Sequence, residues 1–508
     1  MDICWFPADL SGAGMIRCLL PASELEKQFG HRCFTSDIDK TSPTNYQFNL
    51  KKIPNADVYV FHQRKEKEML KIIPTLQGRG AIVVCETDDN YLHLPHNHPA
   101  RKALTKDDIN RLHETYRMAD ALTVSTVYLA EQYRDFNDKT ILLPNYLDAE
   151  MWRDLPDTEW ERVRIGWQGE SSLRMWDLRI LQGVIEPFLK RHPEVDFVAA
   201  GDEKVHDILN IPEGQRVTYQ KRYWRGTPLV TNTMDIGLVP LELNPFNEGK
   251  SDLKGKEYNA CGIPYIASPT SSYMDWTEVG KNGFLASRPR DWHNHLELLC
   301  SDAKLRKTMG AFGRRKSLAN TIQRNAYKWN DLYTSLAGDW ADQLTRTAIS
   351  RGALQKPPEL SAFLRHIKPL NLKTVVEIGT AKGGTFGALG AVAAPDAVLV
   401  SVDYPGPDDR LWTGIEDNRY GEKDPKRIAT YVQESQIPYF IQGDSHTAEV
   451  RDLLADTLDE RKADLLFIDG DHSYEGVKQD YYDYRGFVRD GGLICFHDIM
   501  QHGEGTDC

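Results

Sequence analysis

Short apolar runs alternate with longer amphipathic stretches along nearly the whole chain, and that alternation admits few folds. Runs such as IVVC, VRIGW and TVVEI are apolar on both faces, as strands are when helices cover a parallel sheet on each side. In a first block the pattern predicts strands at 2–7, 58–61, 81–86, 121–124 and 140–143, with a helix over 14–29. A second block predicts strands at 162–168, 196–200, 217–219, 236–240 and 263–267, and a third at 374–378, 398–403, 439–442, 465–469 and 493–497. Polar residues 148–160 read as a hinge, 301–340 as helical, and 345–358 (TRTAISRGALQKPP) as a linker. The chain's 508 residues suit about three domains. The fold class expected is α/β, with three Rossmann-like units over 1–155, 156–344 and 355–508.

Composition narrows the function. With 62 Lys plus Arg against 74 Asp plus Glu, the formal charge is −12, which argues against a protein that coats nucleic acid through a basic face. No run approaches the roughly 18 apolar residues of a membrane span. The N-terminus MDICWFPADLSGAG has no basic stretch ahead of a long apolar run, so no secretory signal is expected. The eight cysteines are scattered, without a CxxC pair, as in a reduced compartment. The expectation is a cytoplasmic protein without a membrane span.

In the second block, VRIGWQ runs into Gly169, Glu170, Ser171 and Ser172 and then a helix expected from about Leu173. A Gly and two Ser at such a turn leave amide donors facing an anion. The segment DIGLVPLELNPFNEGKSDLKGKEYNACGIPYIAS is more specific. Its loop carries Gly249, Lys250 and Ser251 and opens a helix bearing Lys254 and Glu257. Helix-start amides with Lys250 and Lys254 suit a diphosphate, and Glu257 can accept from a ribose diol.

Residues 1 to about 340 resemble GT-B glycosyltransferases, in particular the large retaining family 4. The resemblance rests on the segment just quoted, on EVGKNGFLA, and on CETDDNYLHLP and ADALTVSTVYLAEQY…ILLPNYLD in the first block. It implies a hexosyltransferase-type enzyme with a nucleotide-diphosphate sugar donor in the second block and a glycan or small-molecule hydroxyl acceptor across the cleft in the first. Glu257 matches the second glutamate of the family's E-x7-E motif. Gly249 stands where the first belongs, which leaves Glu248 or backbone amides to meet the sugar. Gln168 and Glu170 replace the family's Arg and Lys pair, moving the phosphate role towards Lys250, Ser251, Lys254 and Arg222. Gly12 and Gly14, in the loop after the first strand, join the donor set. Arg64, Asp88 and Asp89 are the expected acceptor contacts. His62, Lys254 and Glu257 are the expected catalytic groups of this part.

The third block places Gly379, Thr380, Gly383 and Gly384 after TVVEI, and Asp403 at the end of the next strand. A Gly-rich turn followed by an acidic strand end suits a nucleoside-type cofactor. QGDSH, FIDGDHSYEGV and FHDI follow in order, and the series resembles class I S-adenosylmethionine-dependent methyltransferases that act on sugars and small molecules. The resemblance implies Glu377, Gly379, Thr380 and Gly383 at the methionine and ribose, Asp403 at the ribose, Asp444 and Ser445 at the adenine, and Asp469 in the same site. His472 is the implied base. Asp469 and Asp498 are the implied ligands of a Mg²⁺ ion. Few residues follow FHDI, so the sheet is expected to be cut short at its C-terminal end.

The two resemblances together imply a glycosyltransferase fused to an O-methyltransferase-like domain that modifies the same glycan. A competing reading takes modified DNA as the acceptor, and the acidic charge weighs against it. A third, prompted by Gly249, is a non-catalytic glycan-binding or assembly protein on a GT-B body.

Overall fold

The computed structural model describes the chain except residues 11, 36–37, 41–45, 49–52, 97, 221–223, 405–424 and 498–508. The first sheet holds β1 (Asp2–Phe6), β2 (Arg32–Thr35), β5 (Val58–His62), β6 (Ile82–Thr87), β7 (Ala121–Val124) and β8 (Thr140–Leu142). Between β2 and β5, β3 (Ile38–Lys40) and β4 (Tyr46–Phe48) form an antiparallel ribbon. The six strands run parallel in the order β2-β1-β5-β6-β7-β8. β5 and β6 are buried along their whole length, which is why VYVFH and IVVCET read as continuous apolar runs rather than alternating ones.

The second sheet holds β9 (Val163–Gln168), β10 (Val195–Ala200), β11 (Arg216–Tyr219), β12 (Ile236–Val239), β13 (Tyr265–Ala267) and β14 (Gly283–Leu285), parallel in the order β11-β10-β9-β12-β13-β14. Ile165, Trp167, Phe197 and Trp292 pack one face, and Val198, Tyr258 and Tyr265 the other. These two sheets belong to one unit of the chain. The third sheet and the helices from Ser335 onward belong to another. In that second unit β15 (Thr374–Ile378), β16 (Val398–Asp403), β17 (Ile437–Gln442), β18 (Ala463–Ile468) and β19 (Val488–Phe496) run parallel in the order β17-β16-β15-β18-β19. The expected α/β class with three Rossmann-like sheets is the observed one.

Several local expectations differ from the structure, the β3–β4 ribbon among them, which falls where no strand is expected. β2 was not expected. It is a four-residue edge strand, RCFT, whose half-exposed side chains give no apolar run. β14 was likewise unexpected, since three residues are too few to carry a period. The supposed linker is instead mostly helical, in Trp340–Ser350 and Pro357–Ile367. Ala341, Ala348, Leu360 and Leu364 bury against Phe386 and Leu389. Small alanines supply that buried stripe, so the composition looked linker-like while the packing is that of a core.

Each sheet has a point where the chain leaves the first strand one way and a later strand the other way. Such crevices outside the strand ends are where α/β sheets bind ligands. Loops after β1, β5 and β6 meet there in the first sheet, after β9 and β12 in the second, and after β15 and β18 in the third. Most of the described site residues singled out from sequence lie on one of these loops, at the strand end before it or on the helix that follows, while Asp403, Asp444 and Ser445 lie at the ends of β16 and β17. Gly14 shows how tightly the first loop is wound. Its amide donates to Asp9 Oδ1 at 3.3 Å, and an added Cβ would lie 1.7 Å from the Asp9 carbonyl oxygen. Gly14→Ala is expected to cost about 2 kcal/mol through overpacking, read as an earlier thermal unfolding transition. An unchanged midpoint would mean the loop can reopen without cost.

Candidate active site

In the first half of the two-sheet unit, β5 ends on His62, which is fully buried. The Ala8 amide is directed at its Nδ1 (3.2 Å), and its Nε2 lies 3.2 Å from Asp88 Oδ1. Both ring nitrogens are therefore engaged by the protein. Burial lowers the basicity of His62, but hydrogen bonds with Asp88 and Cys18 outweigh it, so the pKa sits well above the ordinary imidazole value. For Asp88, burial raises the pKa, while His62, Lys250 and Arg17 more than offset this and hold the carboxyl down to about 2. Gln63 Nε2 also donates to Asp88 Oδ1, at 2.6 Å. Arg64 is buried, paired with Glu66 and 3.5 Å from the Pro7 carbonyl. Gly12 is exposed, with open space beside it.

In the second half, Asn244 caps the short helix Pro245–Glu248 by accepting from the Asn247 amide at 2.9 Å. The chain then passes through Gly249, Lys250 and Ser251 into the helix Leu253–Ala260. This loop faces the first half directly. Lys250 Nζ bonds Asp89 Oδ1, Asn145 Nδ2 donates to Ser251 Oγ at 2.8 Å, and Thr126 Oγ1 approaches the Gly249 carbonyl at 3.4 Å. Asn90 Nδ2 donates to the Pro245 carbonyl at 2.9 Å. A Cβ on Gly249 would sit 2.9 Å from Leu129 and 3.2 Å from Asn90. A side chain at 249 would therefore require Leu129 and Asn90 to give way. Glu248 does not stand in for the glutamate that the resemblance calls for. Its carboxylate accepts from the Ser271 amide (2.9 Å) and hydroxyl (2.7 Å).

Glu257, 4% exposed, lies behind this loop and accepts from Gln168 Nε2 at 3.2 Å. Thr231 Oγ1 in turn donates to Gln168 Oε1. The structure thus brings Glu257 to the end of β9 through Gln168, the residue standing where the resemblance calls for a cation. Lys254 is half-buried on the same helix. Its neighbour Lys256 is turned inward, bonded to the Asn145 carbonyl (3.1 Å) and Asp252 (2.8 Å). The helix after β9 spans Ser171–Arg179, starting ahead of Leu173. Its anion-facing donors are already in use. The Ser171 amide (3.1 Å) and hydroxyl both donate to Asp202 Oδ2, and Ser172 Oγ donates to Glu170 at 2.7 Å. Burial raises the Asp202 pKa, and the donors from Ser171 and Lys204 outweigh it and lower it overall. Gly169 precedes them at the end of β9. Arg222 lies outside the described residues.

Sequence reasoning missed several groups at this crevice. Arg17 is fully buried and bridges Glu86 (2.7 Å) to Asn145 Oδ1 (2.9 Å). A cleft beside Lys250 is lined by Pro95 and His98 from the first half and by Arg174, Asp177, Phe246 and Asn247 from the second. The Phe246 ring lies 4.8 Å from that of His98 and 4.5 Å from Lys250 Nζ. Burial, then the Lys250 charge, lowers the His98 pKa. Asn145 sits inside the ILLPNYLD string, so its place in a motif was visible, but its partners were not.

In the other unit, Glu377, the penultimate residue of its strand, is fully buried, and among the described residues neither carboxylate oxygen has a well-formed hydrogen bond, with Thr380 its hydroxyl neighbour. Burial, with the carboxylates of Asp469 and Asp403, pushes its pKa well above the carboxylate range, and nearby Thr380 offsets only part. Thr380 Oγ1 accepts from Ser401 at 2.7 Å. Gly379 (φ +87°) donates to the Val402 carbonyl at 2.9 Å, and a Cβ there would lie 2.0 Å from the Asp469 carbonyl oxygen. Only glycine fits that turn. Gly383 opens the next helix. Asp403 ends β16, Asp444 Oδ1 accepts from the His446 amide (2.9 Å), and the Ser445 carbonyl accepts from Tyr484 (2.6 Å).

Asp469 Oδ1 meets His497 Nδ1 (2.9 Å) and His472 Nε2 (3.5 Å), and Gln355 donates to Oδ2 at 2.7 Å. Burial raises the Asp469 pKa, but the two histidines outweigh it and lower the value. Asp498 lies outside the described residues. Among those described no group of three or more His, Cys, Asp or Glu is arranged to hold a metal ion. Among the described residues no helix is long and apolar enough to cross a membrane.

The two-sheet unit has the GT-B fold of glycosyltransferases. A sucrose-phosphate synthase from Thermosynechococcus elongatus is 14% identical, with TM-score 0.50 over 66% of this chain and 98% of that one. A glycosyltransferase from Rickettsia africae is 12% identical, with TM-score 0.50 over the same shares. TarM from S. aureus aligns over 55% of each chain at 15% identity and TM-score 0.43. Residues 376–499 match the family model described as a methyltransferase domain, so the chain couples a GT-B body to a methyltransferase domain. No curated protein matches the sequence.

Proposed function

We propose that the two-sheet unit transfers a glycosyl group, with retention, from a nucleoside-diphosphate sugar to a hydroxyl acceptor. We also propose that the methyltransferase domain O-methylates the same glycan. The observation that carries the first part is the loop 249–251, which faces Asp89 and Asn145 across the crevice with Glu257 buried behind it. Donor cleavage leaves a diphosphate whose charge must be met by fixed donors. Lys250, Lys254, the Ser251 hydroxyl and the first amides of Leu253–Ala260 supply them, while Glu257 takes the ribose diol. On the acceptor side His62 holds Asp88 in place, and Asp88, Asp89 and Arg64 edge the acceptor pocket. The names of the two structures with TM-score 0.50, a synthase of sucrose phosphate and a glycosyltransferase, agree with this chemistry.

S-adenosylmethionine fits the second unit because a buried Glu377, without a well-formed hydrogen bond among the described residues, and a glycine turn stand where its cationic amino-acid part would lie; when bound it supplies an electrophilic methyl group. Asp403 takes the ribose hydroxyls, Asp444 and Ser445 the adenine, and His472 receives the proton of the attacking hydroxyl. The test is turnover with uridine, guanosine, adenosine and thymidine diphosphate sugars, with the anomer of the product read by NMR. One donor is expected to be consumed with retention. Absence of turnover and of binding with every donor would reject the glycosyl-transfer reading. An inverted product would reject only its stereochemistry.

A further inference from the structure

Lys250 is held by a carboxylate from the opposite half of the cleft, 161 residues away in sequence. The Lys250 and Asp89 side chains are 17% and 26% exposed, so solvent screens the pair only in part. Phe246 flanks the ammonium at 4.5 Å. Asp88, the adjacent anion, is already taken by His62 and Gln63. Asp89 sits on a fixed turn, its carbonyl accepting from Tyr133 Oη at 3.0 Å, and the next residue, Asn90, is tied to Pro245. The mobile member is therefore the lysine side chain, with its four-carbon stem.

We infer that this ion pair is an exchange latch that orders the substrates: the donor diphosphate takes Lys250 from Asp89, and the released carboxylate then receives the acceptor hydroxyl. The inference rests on the glycosyl-transfer reading above and deepens it. A single ammonium cannot give its best geometry to Asp89 and to a diphosphate at once, and the more highly charged anion wins. Until that exchange, Asp89 is engaged by a cation and is a poor partner for a neutral hydroxyl. Afterwards its carboxylate stands beside a bound anion, and a hydroxyl donor is the partner that relieves it.

The test is calorimetric titration of the full chain with inorganic pyrophosphate, which requires no choice of base, and with UDP, GDP, ADP and dTDP. Asp89→Asn is isosteric and removes the competitor, so it is expected to tighten diphosphate binding by about three- to tenfold, the scale of a partly screened ion pair. Asp89→Ser should do the same. Lys250→Gln should weaken binding, and most of the gain from Asp89→Asn should vanish in the Lys250→Gln background. Unchanged affinity in Asp89→Asn, with clear binding by the unsubstituted chain, overturns the latch and leaves the glycosyl-transfer reading standing. A gain that persists in full without Lys250 also overturns it, since that marks simple repulsion. If the unsubstituted chain binds none of the diphosphates, both readings fall.

Discussion

Glu257→Ala is expected to weaken nucleoside-diphosphate binding by about a hundredfold and to abolish sugar transfer. The carboxylate is 4% exposed and its observed partner is one neutral amide, Gln168 Nε2 at 3.2 Å. A carboxylate in that setting can accept two hydrogen bonds from a ribose diol. At roughly 1.5 kcal/mol each these sum to about 3 kcal/mol, or a factor of about 10². Lys254→Ala should weaken binding by a smaller factor, because Lys254 is one of several donors to the diphosphate. Calorimetry with the preferred nucleotide measures the affinities, and thermal unfolding checks that each variant folds. Two outcomes separate the readings. If Glu257→Ala leaves nucleotide affinity intact while altering glycan binding, the GT-B body is a lectin-like scaffold. If affinity and transfer fall together, the buried carboxylate is the nucleoside anchor.

The sheets were legible because β5, β6 and β15 are buried along their whole length, and β9 along its last four residues, and they write that burial as largely apolar runs. β2 and β14 were not, being short and marginal, where neighbours rather than local preference decide the structure. The helix Trp340–Ser350 was hidden because alanines and Thr345 supply its buried stripe. At the candidate site the residue types were readable but their partners were not. Nothing in the spacing of Lys250 and Asp89, or of Asn145 and Ser251, announces that two sheets bring them together. Nor could the turn after β9 disclose that Asp202 takes the Ser171 donors. The closeness of Gly249 to Leu129 and Asn90 is likewise a property of packing, which the sequence around it does not display.

Glu377→Gln is expected to weaken S-adenosylmethionine binding by tens of fold and at the same time to stabilise the ligand-free methyltransferase domain. Both effects follow from a buried carboxyl without a well-formed hydrogen bond among the described residues, whose pKa is held well above the ordinary range by burial, with the Asp469 and Asp403 charges adding to it and Thr380 offsetting only part. Above the unfolded-state pKa of about 4.3, the unfolded chain has released this proton while the folded chain keeps it. The native state then binds more protons, so stability falls as pH rises from about 4.3 towards the folded pKa. Glutamine mimics the protonated carboxyl and should remove that slope. Ligand binding runs the other way. S-adenosylmethionine carries a sulfonium and an ammonium group, and a cation beside Glu377 favours its ionised form. Affinity should therefore rise with pH over the same window, with release of up to about one proton per ligand bound. Calorimetry in buffers of differing ionisation enthalpy reads that proton directly. Binding without proton release, or a glutamine variant that binds as well as the native chain, would mean that Glu377 is a buried structural acid and that the cationic part of the ligand lies elsewhere.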